Sequence, residues 1–147
     1  MYQRIFVPVD DSTTSAAALK EAVRFAQDQH AVVRLVHVVD LAQFFWGGAE
    51  FIDTSELQKS LLEAGRKVLA TAEAEVKAAG VQVDSELHQT YGERISRVIV
   101  DDAKAWNADI VVMGTHGKRG FDHLLLGSVA EGVMRMAVTP ILMIRAE

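Results

Sequence analysis

Short runs of β-branched and apolar residues alternate along this chain with longer stretches whose apolar positions recur at helical spacing, the pattern of strands joined by crossover helices. The alternation restricts the fold to the α/β class with a parallel sheet, because parallel neighbours need a long connection and a helix supplies it. Ile5 to Val9 reads as a buried strand, and Ser12 stands as an N-cap ahead of Ala16, Leu19, Val23 and Ala26. Ala31 to Val39 is a second strand. Thr54 or Ser55 can cap a long helix with the stripe Leu57, Leu61, Ala64, Val68, Ala72, Val76 and Ala79, stopped by Gly80 where a left-handed turn is favoured. Val81 to Gln89 alternates more weakly, as an edge strand does. Ile95, Val98, Ile99 and Trp106 mark a third helix, Ile110 to Met113 is the most apolar strand, and Val129, Val133 and Met136 mark a last helix. Thr139-Pro140 ends that helix and opens a final strand, Ile141 to Ile144.

The chain of 147 residues fits one domain, 1–147, with no repeat or linker inside it. A balance of 15 Lys+Arg against 20 Asp+Glu, net −5, argues against nucleic-acid binding through a broad basic face. An anionic partner must therefore be held by a local site. The absence of cysteine excludes a disulfide framework, a thiolate zinc site and a cysteine nucleophile, and suits a reducing cytosol. The first apolar run is too short for a secretion signal, and no stretch approaches the ~20 apolar residues of a membrane span. The expectation is a cytoplasmic protein that engages neither membrane nor nucleic acid.

Two connections are longer than a compact domain needs, Asp40 to Asp53 and Gly114 to Gly127. Both start at carboxyl ends of predicted strands, the edge of an open α/β sheet where ligands bind. In the second, Gly114-Thr115-His116-Gly117 leaves a buried strand and Gly127-Ser128-Val129 opens a helix. Glycines permit positive φ and close backbone approach, and the helix end adds unpaired donors and a favourable dipole. This suits a phosphate cradle, with the Ser128 hydroxyl as donor or as ligand to a phosphate-bound magnesium. The alternative is a surface turn with Ser128 as an ordinary N-cap. The spacing matches neither of the two familiar nucleotide loops.

Gly114-x-x-Gly117, nine residues, then Gly127-Ser128, preceded by Asp109-Ile110-Val111-Val112-Met113, resembles the ATP-binding signature of the universal stress protein family. Ile5 to Ser12, Leu35-Val36-His37-Val38 and Pro140 to Ile144 are similar to the same family in order and spacing, so the resemblance covers the whole chain. It implies a five-stranded open parallel sheet in order 3-2-1-4-5 with helices on both faces, a homodimer through the last strand, Ile141 to Ile144, and ATP with Mg2+ across the ends of the first and fourth strands. Carried over, adenine and ribose contacts fall on Pro8, Val9, Asp10 and Val38, with Met113 lining the base pocket; phosphate and ribose contacts fall on Gly114, Gly117, Gly127, Ser128 and Val129. Asp10 and Asp11 have a competing role in steadying the next helix's first turn.

Other residues carry weaker signals. His116, Lys118 and Arg119 could face phosphate or simply be solvated, Asp122-His123 lacks a third metal ligand, and His37 reads as a core or cleft histidine. The run Phe44-Phe45-Trp46-Gly47-Gly48 suits either a lid or contact with an unidentified protein partner, or local packing. Three functional classes follow: a nucleotide-binding regulatory protein acting as a dimeric switch or sensor, a slow ATPase, and a nucleotide-free interaction protein. No residue can be named that orients a hydrolytic water, and Gly127-Ser128-Val129-Ala130 lacks a nucleophile elbow, so binding ranks above hydrolysis. The intact glycine spacing argues against the third class.

Overall fold

The computed structural model describes residues 1–44, 54–116 and 126–146. Chain order is β1 (Arg4–Pro8), α1 (Thr13–Gln29), β2 (Val32–Asp40), a 3-10 turn (Ala42–Phe44), α2 (Ser55–Ala78), β3 (Val83–Thr90), α3 (Ile95–Ala105), β4 (Ile110–Gly114), α4 (Ser128–Met136) and β5 (Ile141–Ile144). The strands form one sheet in the order β3-β2-β1-β4-β5, every pair parallel. The single-domain α/β fold and its strand order are thus those expected.

Each face of the sheet carries its own apolar layer because successive strand residues point to opposite sides. Ile5, Val7, Val33, Leu35 and Val112 are buried against α1 and α2, whereas Phe6, Val36, Val111 and Met113 are buried against α3 and α4. A fully buried aliphatic or aromatic side chain of this kind is worth about 1.5–3 kcal/mol. β1 lies central, so its residues are sealed from both sides.

The helix ends obey the local signals in part. Ser12 caps α1, its hydroxyl accepting from Ser15 N–H at 3.2 Å. Gly80 follows α2 at φ +77°, a left-handed residue as expected. Thr54 occupies the N-cap of α2 without a side-chain cap bond; its hydroxyl instead accepts from Gln58 Nε2 at 3.0 Å. The apolar stripe of α2 needs correction. Leu57 is 59% exposed and Ala64 is also exposed, and the buried line is Gly65, Leu69, Ala72 and Val76. A 24-residue helix runs ~36 Å, whereas the eight residues of β3 span only ~26 Å. The amino end of α2 therefore extends past the strands that its carboxyl half packs on.

Topology then places the site. From β1 the chain winds through β2 to β3 on one side, then crosses by α3 to β4 on the other, so the connections leaving β1 and β4 diverge and open a crevice at their carboxyl ends. Among the described residues no helix is long and apolar enough to cross a membrane.

Candidate functional site

A cleft of about 160 Å³ occupies that crevice. Pro8, Val9 and Asp10 from the end of β1, Val36, His37 and Val38 from β2, and Met113 and Gly114 from β4 form three sides; Ile95 and Ile99 of α3, Val129 and Ala130 of α4, and Ser12, Thr14 and Ser15 at the start of α1 complete it with His116. Seven residues singled out in the sequence, Pro8, Val9, Asp10, Val38, Met113, Gly114 and Val129, thus meet at one place although up to 121 positions separate them. Gly127 and Ser128 do not line the cleft among the described residues. Gly117 lies outside the described residues, as do Phe45 to Gly48, Lys118, Arg119 and Asp122-His123; Phe44 closes the 3-10 turn after β2.

Backbone geometry dominates the cleft's rim. Val9 N–H donates to Val36 O at 2.8 Å, continuing the sheet ladder one residue past β1. Asp10 N–H donates to Ser15 Oγ at 2.9 Å, and Asp10 Oδ1 accepts from Ser12 N–H at 2.8 Å. The carboxylate therefore does steady the first turn of α1, the competing role anticipated for it, while still lining the cleft. His37 Nδ1 lies 2.7 Å from Val9 O; a carbonyl only accepts, so Nδ1 carries a proton and donates. His37 is a cleft histidine, tying the end of β1 to β2.

The two glycines matter for closeness, not for positive φ. Gly127 has φ −64°, and Gly114 is not in the left-handed region either. A Cβ on Gly114 would stand 2.4 Å from Thr14 Oγ1, and one on Gly127 would stand 2.9 Å from the Cα of His116. Backbone and buried side chain already fill those positions. Gly127 also takes the N-cap of α4, which removes the alternative reading of Ser128 as the cap: Ser128 is the exposed first residue of the helix.

Electrostatically the cleft is open to an anion. The first residues of α1 and α4 reach its wall, so two helix N-termini with unpaired N–H groups converge there. Among the described lining residues there is no Lys or Arg, and Asp10 alone carries a carboxylate. The sequence reading missed Thr14 and Ser15, which are buried on the inner face of α1, and Ile95 and Ile99, which it treated only as core positions. Two hydroxyl side chains at helix positions facing the core were the available signal.

Comparisons with known proteins agree with this architecture. The model of the universal stress protein family matches residues 1–145. Universal stress protein MJ0531 of Methanocaldococcus jannaschii is 35% identical over 146 residues, covering 99% of this chain and 83% of that one. The solved structure of MJ0577, a universal stress protein of the same organism, superposes with TM-score 0.84 at 30% identity, covering 100% of this chain and 98% of the other. A universal stress protein of Archaeoglobus fulgidus, solved in complex with dAMP, has TM-score 0.70 at 25% identity, covering 97% and 98%. Fold, strand order and a match along nearly the whole length converge: the chain belongs to the universal stress protein family.

Proposed function

We propose that this chain binds an adenine nucleotide in the cleft between β1 and β4, as ATP with Mg2+, and acts as a regulatory protein of the stress response. The observation that carries the reading is the convergence of two helix N-termini on a cleft whose rim is bare backbone at Gly114 and is braced by Gly127. Unpaired N–H dipoles suit phosphate, and apolar walls from Val38, Met113 and Ile99 suit a base. Pro8, Val9, Asp10, Val38 and Met113 are assigned to base and ribose; Gly114, Gly117, Gly127, Ser128 and Val129 to ribose and phosphates. The dAMP held by the Archaeoglobus fulgidus relative supports the choice of an adenine nucleotide. Phosphate oxygens and waters can supply the ligands of a nucleotide-bound magnesium, so Mg2+ raises the affinity for triphosphate by offsetting charge that the described wall does not.

Nucleotide occupancy is read out, in this proposal, by a homodimer paired along β5. Titration calorimetry with ATP, AMP and ATP plus magnesium tests the binding step: dissociation constants in the micromolar range or tighter are expected, and acid extraction of the purified protein should release an adenine nucleotide. No heat and no thermal shift at millimolar ATP with magnesium would refute it. Steady hydrolysis is expected below about one turnover per second, the low end of ordinary enzymes. Faster phosphate release would make the protein an ATPase first and a binder second.

A further inference from the structure

The backbone that leaves β4 is tied at three points. Thr115 N–H donates to Ile144 O of β5 at 3.0 Å, and Thr115 O accepts from Gly127 N–H at 2.8 Å. One residue on, His116 O accepts from Thr14 Oγ1 in the first turn of α1. Thr14 is 1% exposed, and Gly114 passes so close that a Cβ there would meet the same hydroxyl. Thr14 is the second residue of α1, with no helical turn before it to bond back onto, and within its own segment its hydroxyl makes only a long 3.5 Å approach to Ser12 Oγ. Its bond instead reaches a carbonyl 102 positions away. Valine has the same shape and would pack without the cost of desolvating a hydroxyl, so the buried Oγ1 is there for the bond it makes.

We infer that Thr14 is a positioning residue for the nucleotide cleft: its hydroxyl pins the Thr115–His116 backbone, and through that backbone holds the cleft wall, the N-terminus of α4 and the last residue of β5 in one geometry. The inference rests on the reading of the cleft as an adenine-nucleotide site, and it adds a physical path from that site to the sheet edge. His116 lines the cleft and Thr14 does too, so the pin lies beside the ligand while its far ends are Gly127 and Ile144. Without it the turn keeps its bonds to α4 and β5 but is free to shift against α1, and the two helix N-termini no longer face one point.

The test compares T14V, which keeps the shape and leaves His116 O without its donor, with T14S, which keeps the hydroxyl, in the full chain. Three quantities are read: the ATP dissociation constant, the melting temperature without nucleotide, and hydrogen exchange of the Gly127 amide. T14V is expected to weaken ATP at least tenfold and to speed Gly127 exchange, with T14S within about twofold of the parent in both. Wild-type affinity in a folded T14V, or equal losses in T14V and T14S, would overturn the assignment. Should T14V not fold, T14A carries the same comparison against T14S, because the two differ only in the hydroxyl. If the parent chain binds no adenine nucleotide, the functional reading fails while the exchange arm still decides the pin: Gly127 protection lost in T14V and kept in T14S upholds it, and unchanged protection refutes it.

Discussion

Asp102 is the only buried carboxylate among the described residues, and it joins three elements. From α3 it accepts Arg34 Nε at 2.7 Å and Nη2 at 3.0 Å from β2, and His88 Nε2 at 2.5 Å from β3. Burial pushes its carboxyl upward, but the hydrogen bonds from Arg34 and His88 and the guanidinium charge outweigh burial and hold it below its ordinary 3.8. A carboxyl lowered on folding stabilises the native state fully above that ordinary value and loses the contribution as pH falls through the native one. D102N should therefore cost about 2–3 kcal/mol at pH 7 by urea unfolding, since Arg34 keeps Asp84 as a second partner. The gap between parent and variant should close below about pH 3.8 and stay constant above pH 5. Gly114→Ala acts at the same scale for a different reason. Its Cβ would lie 2.7 Å from the Cβ and 2.9 Å from the carbonyl carbon of Thr14, so both the melting temperature and ATP affinity should fall.

Among the elements, helix and strand periodicity was nearly sufficient. All nine predicted strands and helices form within two residues of the expected bounds wherever bounds were set, because the apolar spacing that defines each one is also what the two core layers require. The stripe of α2 fails at Leu57 because periodicity does not report how far the sheet extends beneath a helix, and at Ala64 because the buried face runs through its neighbour Gly65, which sits over Leu87, Val39 and His37. Element packing also depends on single small residues that no periodicity marks. A Cβ on Gly132 of α4 would stand 2.4 Å from Ser96 Oγ and 2.6 Å from Ser96 Cβ in α3. Gly132→Ala should destabilise the fold by about 1–3 kcal/mol despite the gain in helix propensity, as read from denaturation midpoints. Adding Ser96→Gly should restore part of the loss, and strict additivity in that double-mutant cycle would refute a direct α3–α4 contact.

For the whole molecule, β5 is an outer strand of the sheet among the described residues, and its outer side is the surface proposed for the homodimer. Pro140 O and Ile144 O accept from Val111 N–H and Thr115 N–H on the β4 side. Alternate residues of a strand bond to the same neighbour, so Ile141 and Met143 turn their backbone groups outward. Met143→Pro removes one outward donor while sparing the β4 ladder, and light scattering should show a dimer for the parent and a monomer for the variant at micromolar concentration. A monomeric parent across that range would sink the dimer. Leu142 and Met143 both pack on a core layer, so the melting temperature is read beside the mass for either variant; Leu142→Lys is the poorer test because it also sets a charge against the layer under α1.

The order of strands and helices along the chain, the parallel sheet and the edge at which to look for a ligand follow from apolar spacing and from glycine and proline positions, all of which are local or cumulative properties of a chain; the central place of β1 and the helices on both faces are implied by the family resemblance. Strand direction brings the ends of β1, β2 and β4 to that edge, and the family resemblance picks out Val9, Asp10, Val38 and Met113 there, all of which line the cleft. Other features depend on which distant groups arrive at the same point, and only the folded sheet decides that. Thr14 meets His116 O across 102 positions, Asp102 collects partners from two strands, and Gly114 and Gly127 are glycine because another backbone or a buried hydroxyl already occupies the space, not because φ demands it. Contacts of that kind leave no period in the sequence; each is one pair of atoms fixed by the register of the sheet and the seating of its helices.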